Sequence, residues 1–490
     1  VCVRNEFLMI PPALIDALRT ALGAAYVLTR PEEVMLYEFD GSALDQAAPE
    51  VVVVPATTAE VATCVRLAAH YRLPVVARGA GTGLAGGSVP EQGGMVVALT
   101  RLNRLISVDP VARTAVVQPG VINTDLSVAV AAHGLHFAPD PSSQRASTVG
   151  GNAACNAGGP HCLKYGVTTN HILAATVVLS DGQVVQLGGG APDAPGYDLL
   201  AAVVGSEGTL GIITEMTVRL TPNPEAVRTF LAIYDTMDAA AATVSAIIAA
   251  GIIPAALEML VGEGIAAVEA AVQAGYPDDA HAVLLIEIDG LHDNLAVEAE
   301  QIATICSAHG ARELRAATDE AQRARLWAGR KGALAACGRI APHYHIQDGV
   351  VPRSRLPELL RQTEIIAERH AIKVVNIFHA GDGNLHPLLL FDLREPGARE
   401  RAVRAGEEIL RACVSVGGTI SGEHGIGMEK RDYLSWIFSA DDLAAFAELR
   451  QVFDPLAQLN PCKLLPMGSS CADIRHAKGA LKALERGAWI

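Results

Sequence analysis

Three glycine-dense loops, each set against short apolar runs, most constrain what this chain can fold into. The first, Arg78-Gly-Ala-Gly-Thr-Gly-Leu-Ala-Gly-Gly-Ser88, carries five glycines in eleven residues. Predicted strands at 74–77 and 95–99 bracket it. Gly81, Gly83 and Gly86 formally spell GxGxxG, but a dinucleotide fold opens a helix at the third glycine. Here Pro90, Gly93 and Gly94 intervene. That excludes a Rossmann unit and leaves an open loop whose backbone N–H groups can nest a pyrophosphate. The second loop region runs from Pro139-Asp-Pro-Ser-Ser143 through Ser147-Thr-Val-Gly-Gly-Asn152 to Asn156-Ala-Gly-Gly159 and Lys164-Tyr-Gly166. The third, Gly205-Ser-Glu-Gly-Thr-Leu-Gly211, leads into a predicted strand at 212–220. Each alone could be only turns; three on one half of a chain point to one extended ligand approached closely by backbone.

The second half holds Asn376-Ile-Phe-His-Ala-Gly-Asp-Gly-Asn-Leu-His386-Pro. Gly381, Gly383 and Pro387 disfavour a helix, and the apolar flanks favour a hairpin. With Asp382-Gly383 at the centre of a type I′ turn, Gly381 pairs with Asn384 and Ala380 with Leu385. His379 then faces His386 with Cβ atoms about 5 Å apart, close enough for two imidazoles to grip one metal ion. Further on, Ser421-Gly-Glu-His-Gly-Ile-Gly427 offers Glu423 and His424 as neighbours. On a regular strand they would face opposite ways, but in a glycine loop both can face one cavity. Two histidines and a carboxylate leave coordination positions open for substrate. Arg330, on a predicted helix beside Trp327, can bind a carboxylate through its fork.

At 490 residues the chain is expected to form two or three domains. Lys plus Arg 38 against Asp plus Glu 53 gives −15 with no basic block, which argues against nucleic acid as a partner. Nine scattered cysteines without CxxC encode neither an iron–sulfur cluster nor a zinc ribbon and suggest a reduced, cytoplasmic compartment. The N-terminal residues do not read as a signal peptide. The uncharged run at 239–257 is broken by Gly251 and Pro254, so it is read as a helix followed by a strand rather than a membrane span. Thr221-Pro-Asn-Pro224 marks a boundary; beyond it strands and helices alternate as in an α+β domain with an antiparallel sheet. Residues after 466 read as peripheral.

Taken in order, Arg78-Gly-Ala-Gly-Thr-Gly, Ser147-Thr-Val-Gly-Gly-Asn, Gly205-Ser-Glu-Gly-Thr-Leu-Gly, Phe378-His-Ala-Gly-Asp-Gly-Asn-Leu-His-Pro, Ser421-Gly-Glu-His-Gly-Ile-Gly and Asn460-Pro-Cys-Lys resemble the motifs of vanillyl-alcohol-oxidase-type flavoproteins. Within that family the chain is most similar to the FAD-linked subunits of bacterial glycolate oxidases (glycolate dehydrogenases) and to relatives acting on D-lactate and D-2-hydroxyglutarate. The match runs from about residue 45 to 466.

The resemblance implies an N-terminal helical segment (1–44), a two-part FAD-binding domain (45–222), an α+β cap with an antiparallel sheet for substrate and metal (223–438), and a C-terminal segment returning to the flavin domain (439–490). It implies that FAD is bound by Arg78, Gly79, Ala80, Gly81, Thr82, Gly83, Leu84, Ser88, Pro139, Asp140, Ser143, Thr148, Gly150, Gly151, Asn152, Gly158, Tyr165, Gly166, Glu207, Gly208, Gly211, Ile213 and Asn460. It further implies that His379, His386 and Glu423 hold one divalent ion (zinc, manganese or iron), with His424 as base and Arg330 on the substrate carboxylate. The implied activity is oxidation of a small 2-hydroxy acid, glycolate ahead of D-lactate, by metal-assisted proton abstraction and hydride transfer to flavin N5.

Three departures sharpen this. Thr82 stands where some flavoproteins of this fold carry a flavin-linking histidine, so non-covalent FAD is expected. Leu334 and Ile346 fall where the hydroxyglutarate enzymes have a threonine and a lysine, which favours a small acid over a dicarboxylate. Cys462 replaces the usual glycine of Asn-Pro-Gly-Lys. The resemblance also implies partner subunits, one of them iron–sulfur, which could hold the chain at the face of the inner membrane. A D-2-hydroxyglutarate dehydrogenase, a non-catalytic flavin-carrying electron-transfer subunit, and a nucleotide-binding module with structural zinc remain as alternatives.

Overall fold

Runs of Val in 51–53 and 75–76 and of Met-Val-Val-Ala in 95–98 have no polar face, the pattern of a sheet covered on both sides. In the computed structural model, which describes residues 10–42, 45–190 and 196–466, they pair in parallel in the order Val51–Val53, Met95–Ala98, Val75–Arg78, with Val27–Leu28 antiparallel at one edge. The helix Thr58–Tyr71 packs on them; the Thr57 side chain caps it by accepting from the Glu60 N–H at 3.1 Å. No helix follows Arg78 before Met95, as the rejection of a Rossmann unit requires. The expectations for the first nine residues and for those after 466 lie outside the described residues.

A second, five-stranded antiparallel sheet runs in the order Leu105–Asp109, Thr114–Val117, Ile212–Arg219, Ile172–Val178, Val184–Gly188. The glycine loops join and flank these two sheets. The third sheet has nine strands, all paired antiparallel, with Glu313–Ala316, Ala226–Tyr234, Ala282–Gly290, Ala256–Val261 and Lys373–His379 side by side. Its two faces follow the period-2 alternation of the strands. Phe230, Tyr234, Met259 and Phe378 pack against the helices Met237–Ala249, His292–Ala308 and Leu356–Arg369. Leu231, Leu260, Ile377 and Leu388 pack on the other face, against Glu263–Val272 and Glu320–Ala336. The uncharged run resolves into the helix Met237–Ala249 and the strand Ala256–Val261. Among the described residues no helix is long and apolar enough to cross a membrane.

The hairpin turn differs from the type I′ expectation. His379 pairs with Asn384, and Asn376 with Pro387, so four residues, Ala380–Gly383, form the loop. Only Gly383 has positive φ (+81°), whereas a type I′ turn needs both central residues there. The Asp382 carboxylate accepts from the Asn384 N–H at 3.1 Å and closes the loop locally. The register is thus displaced by two residues, and an even displacement preserves faces. His386 lies diagonal to His379 rather than opposite, yet the two ring centroids are 5.0 Å apart.

Candidate active site

The hairpin fixes two of the site's groups, and the helix Glu320–Ala336 adds a third. Asp319 caps that helix, its side chain accepting from the Gln322 N–H at 2.8 Å. The helix covers the sheet face bearing His379 and brings in Arg330, which is buried. Arg330 reaches Glu258 through Nε and Nη2, both at 2.6 Å from Oε2. Glu258 also accepts from His379 Nδ1 at 2.8 Å and 2.9 Å. The sequence reading missed Glu258. Its signal was a lone carboxylate inside the apolar strand Ala256–Val261, where an unpaired charge would be costly.

The loop carrying Glu423 and His424 is shaped by a second fully buried carboxylate, Asp348. It accepts from Ser421 Oγ at 2.7 Å, from the N–H groups of Gly422 at 3.0 Å, Glu423 at 3.2 Å and His424 at 2.9 Å, and from Lys430 Nζ at 3.1 Å. So held, Glu423 Oε1 lies 3.2 Å from His379 Nε2 and 3.0 Å from His386 Nε2. The His386 contact lacks hydrogen-bond alignment, so both its buried ring nitrogens are unpartnered among the described residues. The His424 ring stacks on His386 with centroids 4.8 Å apart.

The electrostatics sort these groups. Burial would lower His379, but Glu258 and Glu423 carry it well above the ordinary imidazole value. Burial would raise Glu423, but His379 and His386 hold it well below the usual carboxylate range. For His424 burial wins and pushes it down to about 4, so the ring is neutral at pH 7.

A divalent ion fits this constellation. His379, His386 and Glu423 each offer a ligand atom, these atoms lie within 4.8 Å of one another, and His386 has lone-pair capacity that nothing else uses. Asp348, His386 and His424 form an overlapping group of the same spacing.

A flavin-sized ligand fits as well. One cavity of about 540 Å³ runs from the glycine loops to this cluster. Its walls include Gly79, Ala80, Gly81, Thr82, Gly83, Leu84, Ser88, Ser143, Thr148, Gly151, Asn152, Gly158, Glu207 and Gly208 at one end, and Arg330, His379, His386, Glu423 and His424 at the other. The loops approach too closely for side chains: a Cβ on Gly79 would stand 2.4 Å from Thr148 Oγ1, and one on Gly158 2.6 Å from Glu423 Oε2. Asn152 Nδ2 is buried at this wall without a partner among the described residues, a donor free for a ligand.

Arg78, Gly150, Gly211 and Ile213 line a smaller adjoining cavity that shares Gly79, Thr148, Gly151 and Gly208 with the large one. Five residues expected at the flavin lie outside both. Pro139 O accepts from Asn123 Nδ2 at 2.8 Å, and the Asp140 carboxylate holds His161 Nδ1 at 2.8 Å. The Tyr165 hydroxyl donates to Asp289, and Gly166, at φ +81°, ends the helix Cys162–Tyr165. Asn460 Nδ2 ties Gly87 O at 2.8 Å to Glu207 O at 2.7 Å. Glu207 lines the cavity, but its carboxylate accepts from the N–H groups of Ile426 and Gly427. Cys462 stands at φ +63°, the left-handed region that explains why glycine is usual there.

Comparison with known proteins agrees with this architecture. The profile of the FAD linked oxidases, C-terminal domain, matches residues 223–464, and that of a FAD binding domain matches residues 49–188. The glycolate oxidase subunit GlcD of Escherichia coli (strain K12) is 44% identical over 97% of this chain and 96% of its own length. A D-lactate dehydrogenase of Anaerostipes hadrus is 35% identical over 86% of this chain and 90% of its own. The crystal structure of p-cresol methylhydroxylase with substrate bound shares the fold, with a TM-score of 0.77 at 16% identity, covering 94% of this chain and 97% of that one. The two-part flavin fold of the vanillyl-alcohol-oxidase type and its antiparallel cap are therefore this chain's architecture. The chain belongs to the family of FAD-linked oxidases that contains the glycolate oxidase subunits and the D-lactate dehydrogenases.

Proposed function

We propose that this chain oxidises a small 2-hydroxy acid, glycolate first and D-lactate next, to the 2-oxo acid with non-covalent FAD. The observation that carries the reading is the single cavity with glycine loops at one end and Arg330, His379, His386, Glu423 and His424 at the other. The relatives named for glycolate and D-lactate, at 44% and 35% identity, support the same substrate class. On this reading residues 45–222 and the segment from 439 hold the flavin, and 223–438 hold the acid. Bound FAD supplies the hydride acceptor at N5, and a divalent ion on His379, His386 and Glu423 supplies Lewis acidity.

The chain's own groups do the rest. Arg330 is committed to Glu258 through Nε and Nη2, which leaves Nη1 to meet the substrate carboxylate. His424, neutral at pH 7, has a free ring lone pair to take the hydroxyl proton. Leu334, Ile346, Ile377 and Leu388 form an apolar wall that excludes water. At Leu334 and Ile346 it gives a second carboxylate no hydrogen-bond donor, which disfavours D-2-hydroxyglutarate. Lys331, the remaining basic residue on this wall, lies beside the Trp327 ring. Because the GlcD relative is named a subunit, we read this chain as working with partner subunits, one of them iron–sulfur, that hold a cytoplasmic protein at the inner membrane.

Anaerobic flavin reduction with glycolate, D-lactate, L-lactate and D-2-hydroxyglutarate, paired with elemental analysis, tests the reading. Rapid bleaching by glycolate is expected, lost in His424→Ala while FAD and metal stay bound. Failure of every acid to bleach the flavin would make the chain an electron carrier. Bleaching of His424→Ala at the wild-type rate would remove His424 from the mechanism.

A further inference from the structure

We infer that Glu258 is a positioning residue that couples the substrate-anion group to the metal ligands, a role resting on the function proposed above. Glu258 is fully buried on the strand Ala256–Val261, and the antiparallel register sets it opposite His379. Both side chains point to the face covered by the helix Glu320–Ala336, from which Arg330 descends. One carboxylate therefore meets two functional groups. It holds Nε and Nη2 of Arg330 at 2.6 Å each and His379 Nδ1 at 2.8 Å.

Two consequences follow from chemistry alone. With Glu258 accepting the Nδ1–H, Nε2 is the nitrogen turned to Glu423 Oε1, 3.2 Å away, and the one that gains a ligating lone pair when a metal ion displaces its proton. A histidine whose far N–H donates to a carboxylate has its tautomer and ring angle fixed and is a stronger ligand. The charge-assisted hold on the Nε/Nη2 edge also fixes the guanidinium plane, so Nη1 is aimed before substrate arrives. A carboxylate present only to neutralise Arg330 would need no contact with His379. Because a single group makes both contacts, its loss should weaken metal and substrate binding together.

The test is Glu258→Gln, nearly equal in volume but neutral, in the full-length flavoprotein. Its amide oxygen can accept from one partner while its NH2 opposes the other. Zn2+ affinity, read by competition with a fluorescent chelator, should fall about 10- to 100-fold, the range for lost outer-shell carboxylates. The KM for glycolate should rise by a similar factor while FAD content is unchanged. His379→Ala separates the two readings. If it binds Zn2+ as tightly as wild type, the metal site itself is misassigned. If it loses Zn2+ while Glu258→Gln keeps wild-type Zn2+ affinity and KM, the Glu258 role is overturned and the site stands. Should Glu258→Gln fail to fold, Glu258→Asp keeps the charge but is one methylene too short to span both partners. The same two losses are expected, and wild-type values for both would refute the coupling.

Discussion

Asp348→Asn is the most severe test of how the loop carrying Glu423 and His424 is built. The native carboxylate is fully buried and faces Lys430 Nζ at 3.1 Å, itself 1% exposed. An asparagine can place its one oxygen where Oδ2 stood and keep Ser421, Gly422, His424 and Lys430 as donors. Its NH2 then stands where Oδ1 accepted from the Glu423 N–H at 3.2 Å, donor against donor, and leaves that N–H only its longer contact, 3.3 Å, to the Oδ2 position. The larger effect is electrostatic: a buried ammonium loses its counter-charge, a change of about 3–5 kcal/mol. Urea unfolding followed by tryptophan fluorescence measures this, with Lys430→Met and the double variant closing a cycle. The double variant has no orphaned charge, so it should cost at least about 1.5 kcal/mol less than the sum of the singles. Additive single costs, or a loss below about 1 kcal/mol in Asp348→Asn, would refute the reasoning. The shifted Glu423 should also lower Zn2+ affinity in the same variant.

Three further outcomes are expected. Burial lowers Lys463 to about 8, with Nζ on Val89 O at 2.8 Å. Between that value and the unfolded lysine value near 10.4 the native state binds fewer protons, so its contribution makes stability rise with pH by about 3 kcal/mol in all. Melting from pH 7.5 to 10.5 should show this rise in wild type and a flatter profile in Lys463→Met. Gly427→Ala would put a Cβ 1.9 Å from Ala85 O at φ +53°, so the first glycine loop must shift. A loss of about 3 kcal/mol or more and a drop in bound FAD should follow, read by flavin absorbance per chain. Leu334→Thr with Ile346→Lys adds polar groups to the apolar wall and should raise kcat/KM for D-2-hydroxyglutarate relative to glycolate at least tenfold; an unchanged ratio would separate that wall from specificity.

Much of this protein was legible from local patterns. The helix at Thr58–Tyr71 follows from the Thr57 cap, because capping is a contact between residues three apart. The two histidines share a face because side-chain direction in a strand depends only on parity, which survived the two-residue change in register. What the hairpin's own residues could not specify was the turn: Gly383 O accepts from the Val351 N–H at 3.0 Å and Gly381 N–H donates to Leu257 O at 3.0 Å, so distant segments shape the loop.

The partnerships at the site belong wholly to the tertiary structure. Glu258 and His379 are 121 positions apart, Asp348 and Lys430 82, and Glu207 and Gly427 220. Each acidic residue reads in sequence as a lone charge in an apolar or glycine-rich run, a sign that it needs a partner but not of which one. That choice depends on which strands become neighbours and in what register, and both are set by packing two helical layers onto one sheet. The chain alone therefore determined the glycine-dense loops, the two histidines on one sheet face and the kind of chemistry they suit. Only the folded sheet decided that one carboxylate, Glu258, would hold both Arg330 and His379.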